Sequence, residues 1–187
     1  MSDIWFISDQ HYNHKNILKF TDHDGNLIRP GFKDIDHMNE TMIDNHNRVV
    51  KPYDKVYFGG DVGKGSLDIL NRLNGLKRLI LGNHDDLLEP RELFCFQKVT
   101  SWRFFGHTPT KFVVSHYPLH PMSFEYRGQS TPEKRAVNVH GHIHEKEVLL
   151  DNGHPDPRYI NICVEKINYT PVHMDELMKM IERKRNV

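Results

Sequence analysis

Short apolar runs alternate along this chain with segments in which apolar residues recur every three or four positions. The first pattern marks strands and the second amphipathic helices, so their alternation predicts an α/β domain. Ile4 to Ser8 reads as a strand ending at Asp9. After a polar loop through Asp24-Gly25-Asn26, residues Ile35, Met38, Met42, His46 and Val49 fall on one helix face. Asp34 is placed to cap that helix and Pro52 to close it. Val56-Tyr57-Phe58 is a second strand running into Gly59-Gly60-Asp61. Ser66 stands as the cap of a helix carrying Leu67, Leu70 and Leu73, and Leu79-Ile80-Leu81 is a third strand delivering Gly82-Asn83-His84-Asp85. Further strands are predicted at Phe94 to Val99, Phe112 to Ser115, Ala136 to His140, Val148 to Leu150 and Tyr159 to Cys163. Pro171 precedes a last helix with Leu177, Met178 and Ile181 inward. Arg183-Lys184-Arg185 end it, where the helix dipole favours cations. The longest predicted loop runs from Pro118 to Lys134.

At 187 residues the chain has the length of one domain, 1–187, because domains average ~150 residues. Its 25 Lys and Arg balance 25 Asp and Glu, which leaves no broad basic surface for bulk capture of nucleic acid or an anionic membrane. Nucleic acid therefore enters only as a substrate. No apolar stretch approaches the ~20 residues that span a bilayer, and Met-Ser-Asp-Ile-Trp has no apolar signal core, so a cytoplasmic location is expected. Cys95 and Cys163 form no C-x-x-C pair, which excludes a disulfide scaffold and a thiolate zinc site. Nothing in the sequence sets an oligomeric state. The unusual count is histidine, 14 in all, a side chain that serves acid–base chemistry and metal binding.

Several of these histidines sit at predicted strand ends, where open α/β sheets place their sites. Asp9-Gln10-His11 puts two potential ligands two residues apart, on one face of an extended backbone. Gly60-Asp61, Gly82-Asn83-His84-Asp85 and His116 follow other strands. In His140-Gly141-His142-Ile143-His144 the even positions are polar, while Val137, Val139 and Ile143 face the other way. Taken singly, each segment has an ordinary structural reading: a turn cap, a left-handed turn, a packed histidine, a polar strand face. Together they supply Asp9, His11, Asp61, Asn83, His116, His142 and His144. Seven oxygen and imidazole ligands exceed one tetrahedral zinc. They suit two adjacent ions sharing a carboxylate, an arrangement that clamps attacking and leaving oxygens in phosphoryl transfer.

The series Asp9-x-His11, Gly60-Asp61, Gly82-Asn83-His84-Asp85, His116 and Gly141-His142-x-His144 resembles the calcineurin-like metallophosphoesterase superfamily, from about Ile4 to His144. The runs from Asp9 to Ile17 and from Asn161 to Val172 are similar to small bacterial and phage members, extending the resemblance over nearly the whole chain. It implies a four-layer α/β/β/α sandwich of two mixed sheets. It also implies two divalent ions, one held by Asp9, His11, Asp61 and His144, the other by Asp61, Asn83, His116 and His142, with Asp61 bridging. His84 looks like the family's acid that protonates the leaving oxygen, and Asp85 like a residue that orients its loop. The protein serine/threonine phosphatase branch carries Asp-Arg-Gly after its Gly-Asp block. Here Lys64-Gly65-Ser66 stands there, which argues against a phosphoprotein substrate and leaves the support of His84 unassigned.

The expected reaction is phosphoester hydrolysis, a metal-bridging hydroxide attacking phosphorus while His84 protonates the leaving alcohol. Without a thiolate in the set, Mn²⁺ is the first expectation, with Fe, Zn²⁺, Co²⁺ and Ni²⁺ eligible. The chain has no room for a large cap domain, and an open site favours a small phosphodiester or nucleotide-like substrate. His14 and Asn16 are expected to contact the substrate phosphate. Tyr12, Phe124 and Tyr126 are candidates to stack on a base, and Lys64, Arg127 or Arg135 to meet a phosphate, each with a plain reading as loop anchor or solvated charge. Other enzyme classes fail on detail: Gly63-Lys64-Gly65 lacks the hydroxyl residue of a Walker A loop, and there is no Gly-x-Ser-x-Gly elbow. The rival from another class is a non-catalytic scaffold or protein-interaction module of the same fold, which would be expected to have lost ligands or the acid.

Overall fold

The computed structural model describes residues 2–125 and 135–185. Strands β1 (Ile4–Ile7), β2 (Lys55–Phe58), β3 (Leu76–Ile80) and β4 (Lys98–Thr100) run parallel. With β5 (Trp102–Phe105), β6 (Phe112–Ser115), β7 (Val137–His140), β8 (Tyr159–Asn161) and β9 (Val172–His173) they make two sheets, ordered β4-β3-β2-β1-β9 and β5-β6-β7-β8. In the first sheet β9 is antiparallel to β1, and in the second β5 is antiparallel to β6 while β6, β7 and β8 are parallel. Both sheets are mixed, and the α/β fold class read from the sequence holds.

Alternation within the strands divides the core. Phe6, Tyr57 and Ile80 point from the first sheet to Phe112, Val114, Val137, Val139 and Ile160 of the second. Leu177 and Ile181 of helix α4 (Met174–Arg185) pack into the same cluster. On the other face, Ile7, Val56, Phe58 and Leu79 lie under α1 (Ile35–Val49) and α2 (Leu67–Arg72), which contribute Met38, Met42, Ile43, Ile69 and Leu70. Full burial of such a side chain is worth about 1.5–3 kcal/mol. The layer outside the second sheet is thin among the described residues: Phe124, after the 3-10 turn Pro121–Ser123, packs on Val113, Ala136 and Tyr159. No helix among the described residues is long and apolar enough to cross a membrane.

Asp34 caps α1 as its position predicts, accepting from the His37 N–H at 2.8 Å. Other local expectations change. Ser66 does not cap α2 with its side chain; its Oγ donates to Glu92 at 2.9 Å, because α3 (Pro90–Leu93) lies close by. That helix, opened by Pro90 and a Glu89/Glu92 capping box, ends in a turn that takes the start of the predicted 94–99 strand, and only Lys98–Thr100 pairs with β3. Around Val148 to Leu150 there is just a bridge from Leu149 to Pro155. Tyr12 and Phe124 are 0% and 1% exposed, so neither stacks on a substrate base. Their rings fill the core, where apolar area removed from water outweighs any surface role.

Candidate metal centre

Parallel pairing puts the carboxyl ends of β1, β2 and β3 along one edge, and those of β6, β7 and β8 along one edge of the other sheet. The two edges are joined where Ser8 N–H donates to Ile162 O and Val164 N–H to Ser8 O, both at 3.1 Å. The loops leaving these ends carry every residue of the candidate centre.

The backbone there departs from the extended geometry expected of Asp9-x-His11 and His142-x-His144. Asp9, His11, Asp61, His142 and His144 have φ of 60°, 52°, 52°, 71° and 53°. The first loop is set by its neighbour, not by strand alternation. The N–H groups of Asp9, His11 and Tyr12 donate to the carbonyls of Gly60, Asp61 and Val62 at 3.0, 3.0 and 2.9 Å. Each left-handed non-glycine residue costs on the order of 1–3 kcal/mol, and such strain collects at functional sites. The Asp85 carboxylate ties the second and third loops together, accepting from the N–H of Asp61, Val62 and Gly82 at 3.0, 2.9 and 2.8 Å. Two glycines leave the space the loops need. A Cβ on Gly60 (φ 102°) would lie 2.5 Å from His116 Nδ1, and one on Gly141 would fall on Ser8 Oγ and the Asp9 carboxylate.

Six of the seven predicted ligands form two groups. The donor atoms of Asp9, His11 and His144 lie within 4.8 Å of one another, as do those of Asp61, His116 and His142. The Asp61 carboxylate faces both: Oδ2 is 3.7 Å from His11 Nε2 and 3.5 Å from His116 Nε2, while Oδ1 accepts from the His84 N–H at 2.8 Å. The seventh, Asn83, brings its Oδ1 to 2.9 Å from His116 Nε2. His14 stands at the edge, its Nδ1 3.4 Å from His11 Nδ1. Asn16 is exposed in the 3-10 turn Lys15–Lys19 and makes no hydrogen bond to the cluster residues.

Hydrogen bonding fits these groups to divalent cations. Asp9 Oδ2 accepts from Ser8 Oγ, His142 N–H and Cys163 Sγ at 2.5, 2.9 and 3.2 Å, while Oδ1 is buried with no partner. Burial raises the Asp9 carboxyl above its usual range, against the pull of His116. Burial, helped by Arg29, pushes His11 down to about 3, and its Nε2 is likewise buried and unpartnered. His116 Nδ1 lies 2.9 Å from the Gly59 carbonyl, which can only accept, so Nδ1 carries a hydrogen. Its Nε2 then faces two oxygens, Asn83 Oδ1 and Asp61 Oδ2, and lone pairs so placed need a proton or a cation between them. In the protein alone a proton serves: burial opposes it, but Asp61 raises His116, and in return His116 overcomes burial to hold Asp61 at about 2.

Three residues that ligand spacing does not reveal support the centre. Glu165 Oε1 accepts from His144 Nδ1 at 3.0 Å and from Arg29 Nε at 2.7 Å. Arg29, fully buried, also donates to the carbonyls of Asp9 and Gln10 at 2.5 and 2.8 Å. The Glu165 bond leaves His144 Nε2 free to face the cluster, the arrangement by which outer carboxylates orient metal-binding imidazoles. Cys163 is the third, through its thiol bond to Asp9.

Two depressions flank the clusters. One of about 260 Å³ is lined by His11, Asn13, His14, Gly63, Lys64, His84 and Leu87. His84 is exposed there, its ring 5.7 Å from that of His11, and among the described residues no hydrogen bond holds the imidazole. The other, of about 500 Å³, has His142, Ile143 and His144 on one wall and Lys19, Phe20 and Ile28 on the facing one. Arg135 offers its carbonyl to the Arg185 guanidinium, and Tyr126 and Arg127 lie outside the described residues.

No family model matches the chain. It is 34% identical to the uncharacterized protein MJ1445 of Methanocaldococcus jannaschii, over 98% of this chain and 93% of that protein. The Gene 66 protein of Mycobacterium phage L5 is 28% identical over 87% of each. Among solved structures, the protein of unknown function AQ665 from Aquifex aeolicus superimposes with a TM-score of 0.66 at 25% identity, over 96% of this chain and all of that one.

Proposed function

The chain belongs to the same family as the uncharacterized protein MJ1445, and from that premise we propose that it is a dinuclear metal-dependent phosphoesterase of the calcineurin-like type, acting on a small phosphodiester or nucleotide-like substrate. The observation that carries this reading is Asp61, one carboxylate oxygen standing between two imidazole-bearing groups at 3.7 and 3.5 Å. Asp9, His11, Asp61 and His144 would hold one ion and Asp61, Asn83, His116 and His142 the other, Mn²⁺ being the first choice for this oxygen and imidazole set. Bound there, the ions would supply water of near-neutral pKa and positive charge against the phosphate oxygens.

The chain's own groups do the rest. Glu165 fixes the His144 tautomer, and the three donors on Asp9 Oδ2 hold that carboxylate while leaving Oδ1 without a hydrogen-bond partner. His84, exposed at the mouth beside Lys64 and His14, is placed to pass a proton to the leaving oxygen. Its backbone N–H bond to Asp61 sets the distance between acid and metal ligands. General acid help of this kind is worth ~10²–10⁴-fold. His14, beside His11 on the wall of this depression, would contact the substrate phosphate, with Asn16 exposed in the turn that follows it.

The test uses p-nitrophenyl phosphate and bis(p-nitrophenyl) phosphate with protein stripped of metal and then reloaded with Mn²⁺, beside Asp61→Asn. Activity should return with metal in the wild type and not in the variant, with the diester the better substrate. Two metals bound with neither ester hydrolysed would favour the non-catalytic scaffold instead.

A further inference from the structure

We infer that the larger depression beside the clusters is a subsite for the non-leaving arm of a phosphodiester, and that this arm is a nucleoside whose base stacks on Phe20. The inference rests on the phosphoesterase reading and deepens it. A monoester has one organic arm, and that arm must leave on the side of the acid, in the smaller depression with His84. A diester has a second arm, and the space of about 500 Å³ is the larger of the two. Its wall includes His142 and His144, one from each cluster, so a group seated there adjoins both. In the reaction the P–O bond to the leaving arm breaks, water oxygen joins phosphorus, and the departing oxygen takes a proton. The products are an alcohol and a nucleoside monophosphate, its phosphate still bonded to the second arm.

The facing wall is built to hold a ring. Phe20 is 44% exposed, yet it belongs to a fixed hairpin and not to a slack loop. Ile28 N–H donates to the Phe20 carbonyl at 3.0 Å, Thr21 bridges Leu27, and the Asp22 carboxylate accepts from the N–H of Asp24 and Asn26 at 3.0 and 2.8 Å. The Phe20 ring meets His14 edge-to-face, with centroids 5.9 Å apart, Phe20 lining the larger depression and His14 the smaller. An aromatic face held open beside a phosphate-binding centre is a stacking platform, and such stacking is worth on the order of tenfold or more per base. Lys19 and Lys146 on the same rim give the anionic ester a favourable approach.

The test keeps the leaving group constant. The p-nitrophenyl ester of thymidine 5′-monophosphate and methyl p-nitrophenyl phosphate are compared in the Mn²⁺-loaded protein and in Phe20→Ala and Phe20→Trp. The wild type should prefer the nucleoside ester in kcat/KM by at least roughly tenfold, Phe20→Ala should lose most of that ratio, and Phe20→Trp should keep it. Calorimetric affinity for thymidine 5′-monophosphate should fall in Phe20→Ala in the same proportion. A wild-type ratio near one, or a ratio unaltered in Phe20→Ala, overturns the subsite while leaving the phosphoesterase reading intact. Failure of the loaded wild type to hydrolyse either ester overturns the reading on which the subsite rests.

Discussion

His46 gives a stability prediction that needs no substrate. It lies on the inner face of α1 with no exposed surface, stacked near Phe58, its Nε2 donating to the Asn74 carbonyl at 2.9 Å. Its Nδ1 is buried without a partner, so a second proton there would carry charge into the core with nothing to receive it. Burial accordingly lowers the imidazole to about 4, against an ordinary value of 6.5. The unfolded chain therefore takes up a proton near pH 6.5 that the folded chain refuses until about pH 4. Stability from this residue is complete above pH 6.5 and is lost as the pH falls toward 4. Linkage between those two values removes about 2.5 kcal/mol on going from about pH 7.5 to 4.5. His140, held at about 4 mainly by burial, titrates in the same window, so the informative comparison is with His46→Gln, whose amide keeps a donor for Asn74. Urea unfolding with EDTA, followed by tryptophan fluorescence, should show the wild type losing about 2.5 kcal/mol more than the variant across this range. Parallel pH profiles for the two proteins would refute the reasoning.

Glu165→Ala removes the acceptor that orients His144, and affinity for Mn²⁺ should fall by about 10–100-fold in a chelator competition; unchanged affinity would show that His144 needs no such support. His84→Ala should keep its metal content while losing ~10²–10⁴ in turnover on an alkyl phosphoester, and full turnover on that poor leaving group would remove His84 from the reaction. Gly141→Ala pushes a methyl group onto Ser8 Oγ and the Asp9 carboxylate. It should cost about 1–3 kcal/mol in urea unfolding and reduce bound metal after dialysis, whereas wild-type values for both would mean that the loop has room to move.

The strand ends were legible because their sequence changes abruptly from apolar to ligand-bearing, as in Ile4 to Asp9 and Val113 to His116. Parallel pairing then brings those ends together, which is why Asp9, His11, Asp61, Asn83, His116, His142 and His144 converge. Their backbone was not legible. Two-residue spacing reads the same for an extended strand and for a left-handed turn, and the choice at Asp9 and His11 is made by carbonyls some fifty residues away, at Gly60 and Asp61. Arg29 and Glu165 were hidden for a related reason: they meet across 136 residues of sequence, and neither has a neighbour that marks it as part of a centre. Strands β5 and β9 escaped because β5 is partly exposed at a sheet edge and β9 has only two residues, too few to show a period.

The central claim is that Asp61 stands between two cation sites. It is tested most directly by crystals of the protein grown with Mn²⁺ and measured for anomalous scattering. Two peaks are predicted, one among Asp9, His11 and His144 and one among His116, His142 and Asn83, with the Asp61 carboxylate touching both. A single peak, or two peaks with Asp61 turned away from either, would contradict the account.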